Sequence, residues 1–315
     1  MIPLKLETLL QGRVVEQDRV EYKKGWNPSD TILNNAVPFD DRINREAKIS
    51  DIRRGFVEDF LVDSNSSLVE DLNDRKLEDL LVALEVANVT DVGIDIRNIG
   101  LLMFSERPEK FLPGAQIELI RFNVPDAEAS DNFTEKTFSG PLQKQIRDAL
   151  GYIQTTLIDE RVTKIDNHAE VERHFNYPYN ALEEAIVNAV FHKSYREQEP
   201  VEIRIYTDCV KIINYPGPAK WIDMENFRAG KVIARRYRNR RIGEFLKEIN
   251  LSEKKSTGIS KILRALSRNG SPMPEFETDD DRNYLITTLN IHQSFEATNN
   301  VESKANGNEQ SFGQR

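Results

Sequence analysis

The chain has 315 residues, a formal net charge of −9 and a single cysteine, Cys209. That length suggests about two domains with a sizeable core. The charge gives no global attraction to nucleic acid or anionic membrane, and one cysteine excludes an intramolecular disulfide framework or a cysteine-only zinc cage. Four widely spaced histidines make no metal-ligand pattern.

In chain order, residues 1–32 read as a short amphipathic helix (Leu4, Leu6, Leu9, Leu10) and then a strand-like stretch ending in RVEYKKGWNPSD, where Asn27, Pro28 and Ser29 make a turn or a helix start. The opening MIPLKLETLLQGRVVEQD lacks a long apolar core, and no stretch approaches about 18 apolar residues. Neither a signal peptide nor a membrane span is expected, and a cytoplasmic location is the default. From VPFDDRIN to about Val89 the pattern is helical: Ile49, Ile52, Phe56, Phe60 and Leu61, then Leu77, Leu80, Leu81 and Leu84. These pieces suggest a winged-helix-like or bundle-like middle segment.

A buried helix end in NIGLLMF precedes a turn at Pro113 and Gly114 and an alternating strand from Ile117 to Phe122. GPLQKQIRDALGYIQTTL is amphipathic and helical, and a further helix opens after Tyr177 and Pro178. VEIRIYT and CVKIINY read as two strands joined tightly at Thr207 and Asp208. YPGP ends the second. A basic segment (Arg228, Lys231, Arg235, Arg236, Arg238, Arg240, Arg241) leads to a glycine-opened helix in LSEKKSTGISKILRALSRNG that stops at Gly270. Two late strands lie around Phe276 and from Tyr284 to Ile291. Residues 294–315 are polar, lack apolar periodicity and read as a disordered tail.

The helix ALEEAIVNAVFHKSY carries the most informative pattern. At 100° per residue, Glu184, Asn188 and His192 share one narrow stripe. Leu182, Ile186, Ala189 and Val190 form an apolar face on one side, with Val187 and Phe191 on the other flank. A helix buried on both sides of a polar stripe must aim that stripe into something. The bland reading is a water-filled polar seam in a core.

In order along the chain come the stripe, Asn214 and Gly217 after a strand, and Thr257 and Gly258 at a helix start. This order resembles the GHKL ATP-binding fold of gyrase-type topoisomerases, mismatch-repair ATPases, heat-shock chaperones and histidine kinases. Longer phrases are similar to bacterial ATP-binding transcriptional regulators, some named as RecG-related helicases, which carry an N-terminal Schlafen AlbA-type DNA-binding domain. They are FNYPYNALEEAIVNAVFHKSYREQEPVEIRIY, RRYRNRRIGEFLKEINLSEKKSTGISKIL and GSPMPEFETDDDRNYLITTLNIH, with VPFDDRIN, NIGLLMF and FLPGA in the middle region. The likeness covers roughly residues 33 to 293.

The resemblance implies an α/β (α+β) chain with four parts: a remnant of the AlbA-type domain at 1–32, a helical middle segment with a strand at 33–149, a GHKL-like ATP-binding sandwich at 150–293, and the tail. The remnant follows from a departure: LETLLQGRVVEQDRVEYKKGWNPSDTI has Glu21 and Lys23 of the AlbA-type acidic-x-basic strand, but the glycine-turn core expected next is missing. Roughly 30 residues do not bury an independent core.

For the site, the resemblance implies ATP and Mg²⁺, with Asn188 as metal ligand and Glu184 as general base. His192, Asn214, Gly217, Arg240, Thr257 and Gly258 are the other cofactor-binding candidates. The physical case agrees: small residues opening a helix aim N–H groups at phosphate, an asparagine offers Mg²⁺ a neutral oxygen, and a glutamate one turn away can orient water. Asn214 stands where the family reads adenine with an aspartate, and its amide oxygen can still accept from an amino group. The basic segment falls where the family has its ATP lid, although such a run is most often a solvated face. His192 reads as structural or lid-contacting, and Trp26 and Trp221 as packing anchors. The expected function is an ATP-binding, slowly hydrolysing regulator, with DNA as a partner and self-association to a homodimer. The alternatives are a non-catalytic DNA-binding or scaffold protein with a degenerate nucleotide site, and an inert fragment.

Overall fold

The computed structural model describes residues 37–296 apart from 92, 129, 165–170, 233–236 and 253–257. The N-terminal element at 1–32 with Trp26, the tail beyond 296, and Thr257, Arg235 and Arg236 lie outside the described residues.

The chain first lays down two helices, α1 (Arg54–Asp63) and α2 (Leu77–Ala83), then a hairpin of β1 (Ala87–Thr90) and β2 (Gly93–Ile96), then α3 (Asn98–Phe104). Helical periodicity was expected to run to about Val89. The structure corrects this: the helix stops at Ala83 with Leu84 as C-cap, Glu85 takes φ 55°, and the chain turns into the hairpin. Val89 is 72% exposed, so it never belonged to an apolar helix face. α3 is buried at every position, as NIGLLMF suggests.

Strands β3 (Ile117–Phe122) and β4 (Phe133–Phe138) follow, then α4 (Leu142–Thr156), a hairpin of β5 (Glu160–Lys164) and β6 (Val171–Phe175), and the stripe-bearing α5 (Tyr179–His192). The rest is β7 (Val201–Ile205), β8 (Cys209–Asn214), α6 (Met224–Arg228), α7 (Arg240–Glu248), α8 (Gly258–Asn269), β9 (Glu275–Glu277) and β10 (Leu285–Asn290). The boundaries expected for α4, α5, α8 and strands β3, β7, β8 and β10 agree with these to within a few residues. Gly270, at φ 72°, ends α8 with a left-handed residue. Strands β4, β5 and β6 were not anticipated.

A six-stranded mixed sheet in the order β4-β3-β7-β8-β10-β9 organises the molecule. Only β3 and β7 are parallel, with Leu119 opposite Ile203. Their connection runs through α4 and α5, as a parallel crossover requires. Two strands from before position 150 thus belong to the same sheet as the C-terminal strands. Alternation sets the sheet's faces: Ile117 and Leu119, Val201, Ile203 and Ile205, and Val210 and Ile212 are buried, while Glu202, Arg204 and Lys211 are half-buried on the other side. Each such aliphatic side chain contributes about 1.5–3 kcal/mol when fully removed from water. α5 packs on β8, α4 and α8.

The helical segment shares this core. Phe60 on α1, Phe104 on α3 and Phe245 on α7 form an aromatic trio with ring centroids 4.9 to 5.9 Å apart. Ser294 and Phe295, at the start of the stretch read as tail, dock on Arg161 of β5: its guanidinium donates to the Ser294 carbonyl and lies 4.5 Å from the Phe295 ring centroid. No described helix is long and apolar enough to cross a membrane.

Candidate functional site

Pro178 caps α5 in an extended conformation and fixes where the helix begins. Ala181, Leu182, Ala185, Ile186, Val187, Ala189, Val190 and Phe191 are buried, while Glu184, Asn188 and His192 are half-buried along one stripe. The stripe faces the start of α8 and the loops after β8. Between them lies a cavity of about 370 Å³.

Asn188, His192, Asn214, Gly217 and Gly258 all line this cavity, joined by Trp221, Tyr237, Arg238 and Thr287. Gly258 sits so close to the stripe that a Cβ there would lie 2.7 Å from Asn188 Oδ1 and 2.8 Å from Glu184 Oε1, and would also clash with Asn188 Nδ2. Any side chain here would push the Asn188 and Glu184 side chains aside. Asn188 Nδ2 is itself buried without a hydrogen-bond partner, an arrangement that native interiors rarely leave unexplained. Gly217 is equally constrained: its N–H donates to the Arg282 carbonyl at 2.8 Å, and a Cβ would lie 2.8 Å from Thr278 Oγ1 and collide with the Tyr284 carbonyl oxygen.

Glu184 departs from the stripe. Its carboxylate turns to Lys261 of α8, with Nζ to Oε2 at 3.4 Å, and lines a second groove with Glu183, Lys261 and Arg264. Burial, and then the charge of Glu184, hold the Glu183 carboxyl above the usual carboxylate range. Glu184 therefore lines this groove, whereas Asn188 and His192 line the cavity, although the Glu184 carboxylate and the Asn188 amide both reach Gly258.

The remaining candidates have distinct settings. Asn214 ends β8 almost wholly buried and donates a long hydrogen bond, 3.4 Å, to the Pro216 carbonyl. His192 packs against Phe191 and Tyr237, and burial together with nearby Arg238 lowers its pKa to about 4. It is neutral at pH 7 and suits contact rather than charge. Arg240 is not brought to the cavity: it is exposed, pairs with Glu244 at 3.1 Å, and lines a separate cleft with Glu85 and Arg97. Two residues upstream, Arg238 is turned inward, donating to the His192 carbonyl and, at 3.4 Å, to that of Gly217. Burial lowers its pKa, though an arginine stays cationic.

Trp221 overturns its expected role as a packing anchor. It is 56% exposed and lines the cavity wall. Tyr237, Thr287 and Lys261 were missed as site residues, and Arg238 was read only as one arginine of the lid-like basic run. Two of them carried a signal: Thr287 falls on the buried face of β10 with Leu289, and Lys261 falls one helical turn after Gly258.

Among the described residues no three or more histidine, cysteine or acidic side chains converge as a metal centre. The donors that do meet, the Asn188 amide and the Glu184 carboxylate at Gly258, are oxygen donors of the kind that suits a hard cation such as Mg²⁺.

Residues 198–288 match the family described as "Putative ATP-dependent DNA helicase recG C-terminal". The C-terminal half contains an ATPase-like domain. The match spans β7 to β10 and takes in Asn214, Gly217 and Gly258, while α5 with Glu184, Asn188 and His192 lies just before it. In fold, the chain is similar to the DIP2311 protein from Corynebacterium diphtheriae, with a TM-score of 0.61 and 18% identity over 82% of this chain and 48% of that one. The chain thus spans about half the length of that structure. No curated protein matches it.

Proposed function

We propose that the cavity binds an adenine nucleotide with Mg²⁺, and that the chain uses this binding as a conformational switch in a regulator acting on DNA. The observation that carries the reading is the approach of Gly258 to Asn188 at the cavity wall, inside and beside a segment with the ATPase-like family match. Asn214 and Thr287 supply the neutral polar groups suited to a purine edge, with Trp221, Tyr237 and His192 as flat surfaces around it. The N–H groups at the start of α8 would face phosphate, and Asn188 Oδ1 would bind the metal, which neutralises the polyphosphate. The family's printed description supports DNA as the second partner. Hydrolysis is slow in this reading, since Glu184 is engaged by Lys261.

Titration calorimetry with ATP, with and without Mg²⁺, tests the reading. Binding that strengthens with Mg²⁺ in the parent and loses that enhancement in Asn188→Ala is the expected result; equal affinities in both proteins would remove the metal role. The close packing of Gly258 on Asn188 also favours a second reading, a scaffold that keeps the fold without nucleotide. It predicts no heat of binding from a fully folded parent.

A further inference from the structure

The segment from Tyr237 to Ile242 touches the cavity at one end and the N-terminal helical segment at the other. At the cavity, the Tyr237 ring stacks on Phe191 at 5.4 Å, and Arg238 holds the carbonyls of His192 and Gly217. Asn239, fully buried, donates from Nδ2 to the carbonyls of Phe191 at 2.8 Å and Lys193 at 2.7 Å. This ties the segment to the C-terminal end of the stripe-bearing helix.

Three residues later the contacts are with residues far away in sequence. The Ile242 N–H, in the first turn of α7, donates at 3.0 Å to Oδ2 of Asp40, which is fully buried and 202 positions earlier. A carboxylate at a helix N-terminus satisfies free N–H groups and complements the helix dipole. The other oxygen, Oδ1, is buried with no partner. Arg241 donates at 3.0 Å to the Leu84 carbonyl, which caps α2, and pairs with Glu85 and Asp41 at 3.5 and 3.7 Å. Asp41 also pairs with Arg97, which donates to Asn88 of β1. A polar chain therefore runs from α7 to the β1–β2 hairpin.

We infer that residues 237–242, with Asp40 and Arg241 as the contacts on the far side, link occupancy of the cavity to the placement of α2 and the β1–β2 hairpin. This regulation rests on the nucleotide reading for the identity of its ligand. A ligand that shifts Tyr237 or Arg238 moves the start of α7, because only Asn239 lies between Arg238 and that helix. A short helix moves as a unit, so its two far contacts move with it. Asp40 Oδ1 gives the resting contact an unused acceptor that a shifted α7 can engage. Coupling of this kind is reciprocal, so a change at Asp40 or Arg241 must also be felt at the cavity.

The test is hydrogen exchange followed by mass spectrometry on the full chain, alone and with Mg²⁺ and a non-hydrolysable ATP analogue whose binding is measured by calorimetry. In the parent, the analogue should change exchange at residues 77–97 by about threefold or more. Arg241→Ala should bind the analogue within about threefold of the parent and lose that response. An analogue that binds while residues 77–97 stay unchanged would overturn the link and leave the nucleotide reading intact. A second arm needs no nucleotide: Asp40→Ala or Arg241→Ala should speed exchange across residues 237–242 and at the end of α5. Unchanged exchange there in a folded variant would overturn the link even where no nucleotide binds, and a failure of the analogue to bind would count against the nucleotide reading alone.

Discussion

Lys261 Nζ lies 3.4 Å from Glu184 Oε2, and both side chains are largely withdrawn from solvent. The pair holds the carboxylate at the groove it shares with Lys261. If Glu184 acts as a general base, it must leave Lys261 to do so. Glu184→Gln is then expected to cut ATP turnover by about 10²-fold while leaving affinity nearly unchanged. Lys261→Met should raise turnover, because it releases the carboxylate. A phosphate-release assay on both variants decides the matter: a loss in Lys261→Met as large as that in Glu184→Gln makes the lysine a helper of the base rather than its restraint.

Gly258→Ala places a methyl group against the Asn188 amide and the Glu184 carboxylate. Either α8 retreats or the stripe side chains turn away, and both disturb the cavity wall. Overpacking of this kind typically costs about 1–3 kcal/mol, so the variant should stay folded but lose at least about tenfold in nucleotide affinity. Calorimetry beside a thermal melt separates the two effects. Unaltered affinity would show that this approach is packing and nothing more.

How much of this was readable beforehand depends on the kind of signal. Ile117 to Phe122 alternates, and the strand is there; Pro178 and Gly270 mark helix ends by backbone restriction alone, and the ends are there. β4 shows the opposite case. Its first five residues are exposed, so its place in the sheet comes from backbone pairing with β3 and leaves no alternating apolar pattern. The stripe on α5 was readable as a stripe, but its division between cavity and groove was not. That division depends on a contact with a helix more than sixty residues later, at a glycine with no side chain to announce it.

The basic run shows the same limit. Charge alone does not say which arginine turns inward. Arg238 binds two carbonyls at the cavity, whereas Arg240 pairs with Glu244 at the surface. Arg238→Ala is therefore expected to weaken nucleotide binding by about tenfold or more, and Arg240→Ala to change it by less than about twofold. Paired titrations would refute this selection if the two variants lost affinity equally.

Gly217 carries a prediction about stability rather than binding. Its missing side chain admits the Tyr284 backbone, which has little freedom to give way because Leu285 pairs with Asn214 just beyond. Gly217→Ala should lower unfolding free energy by about 1–3 kcal/mol, measured by chemical denaturation. A variant as stable as the parent would mean that the loop after β8 yields easily.

Asp40 makes stability depend on pH in a definable window. Burial raises its pKa from 3.8 to about 6, against the lowering effect of the Ile242 and Arg241 N–H groups. In the unfolded chain the carboxyl ionises near its ordinary value, so between pH 4 and 6 the folded state holds more proton than the unfolded state. Stability from this group is therefore full below pH 4 and is lost as pH rises through about 6. Asp40→Asn removes the titration while keeping an oxygen that can accept from Ile242. The variant's stability relative to the parent should then improve by on the order of 2 kcal/mol between pH 4 and pH 7. Taking the difference between the two proteins at each pH cancels the carboxylates they share. A difference that stays flat across that range would show that Asp40 remains ionised throughout, held by the start of α7 more strongly than burial opposes it.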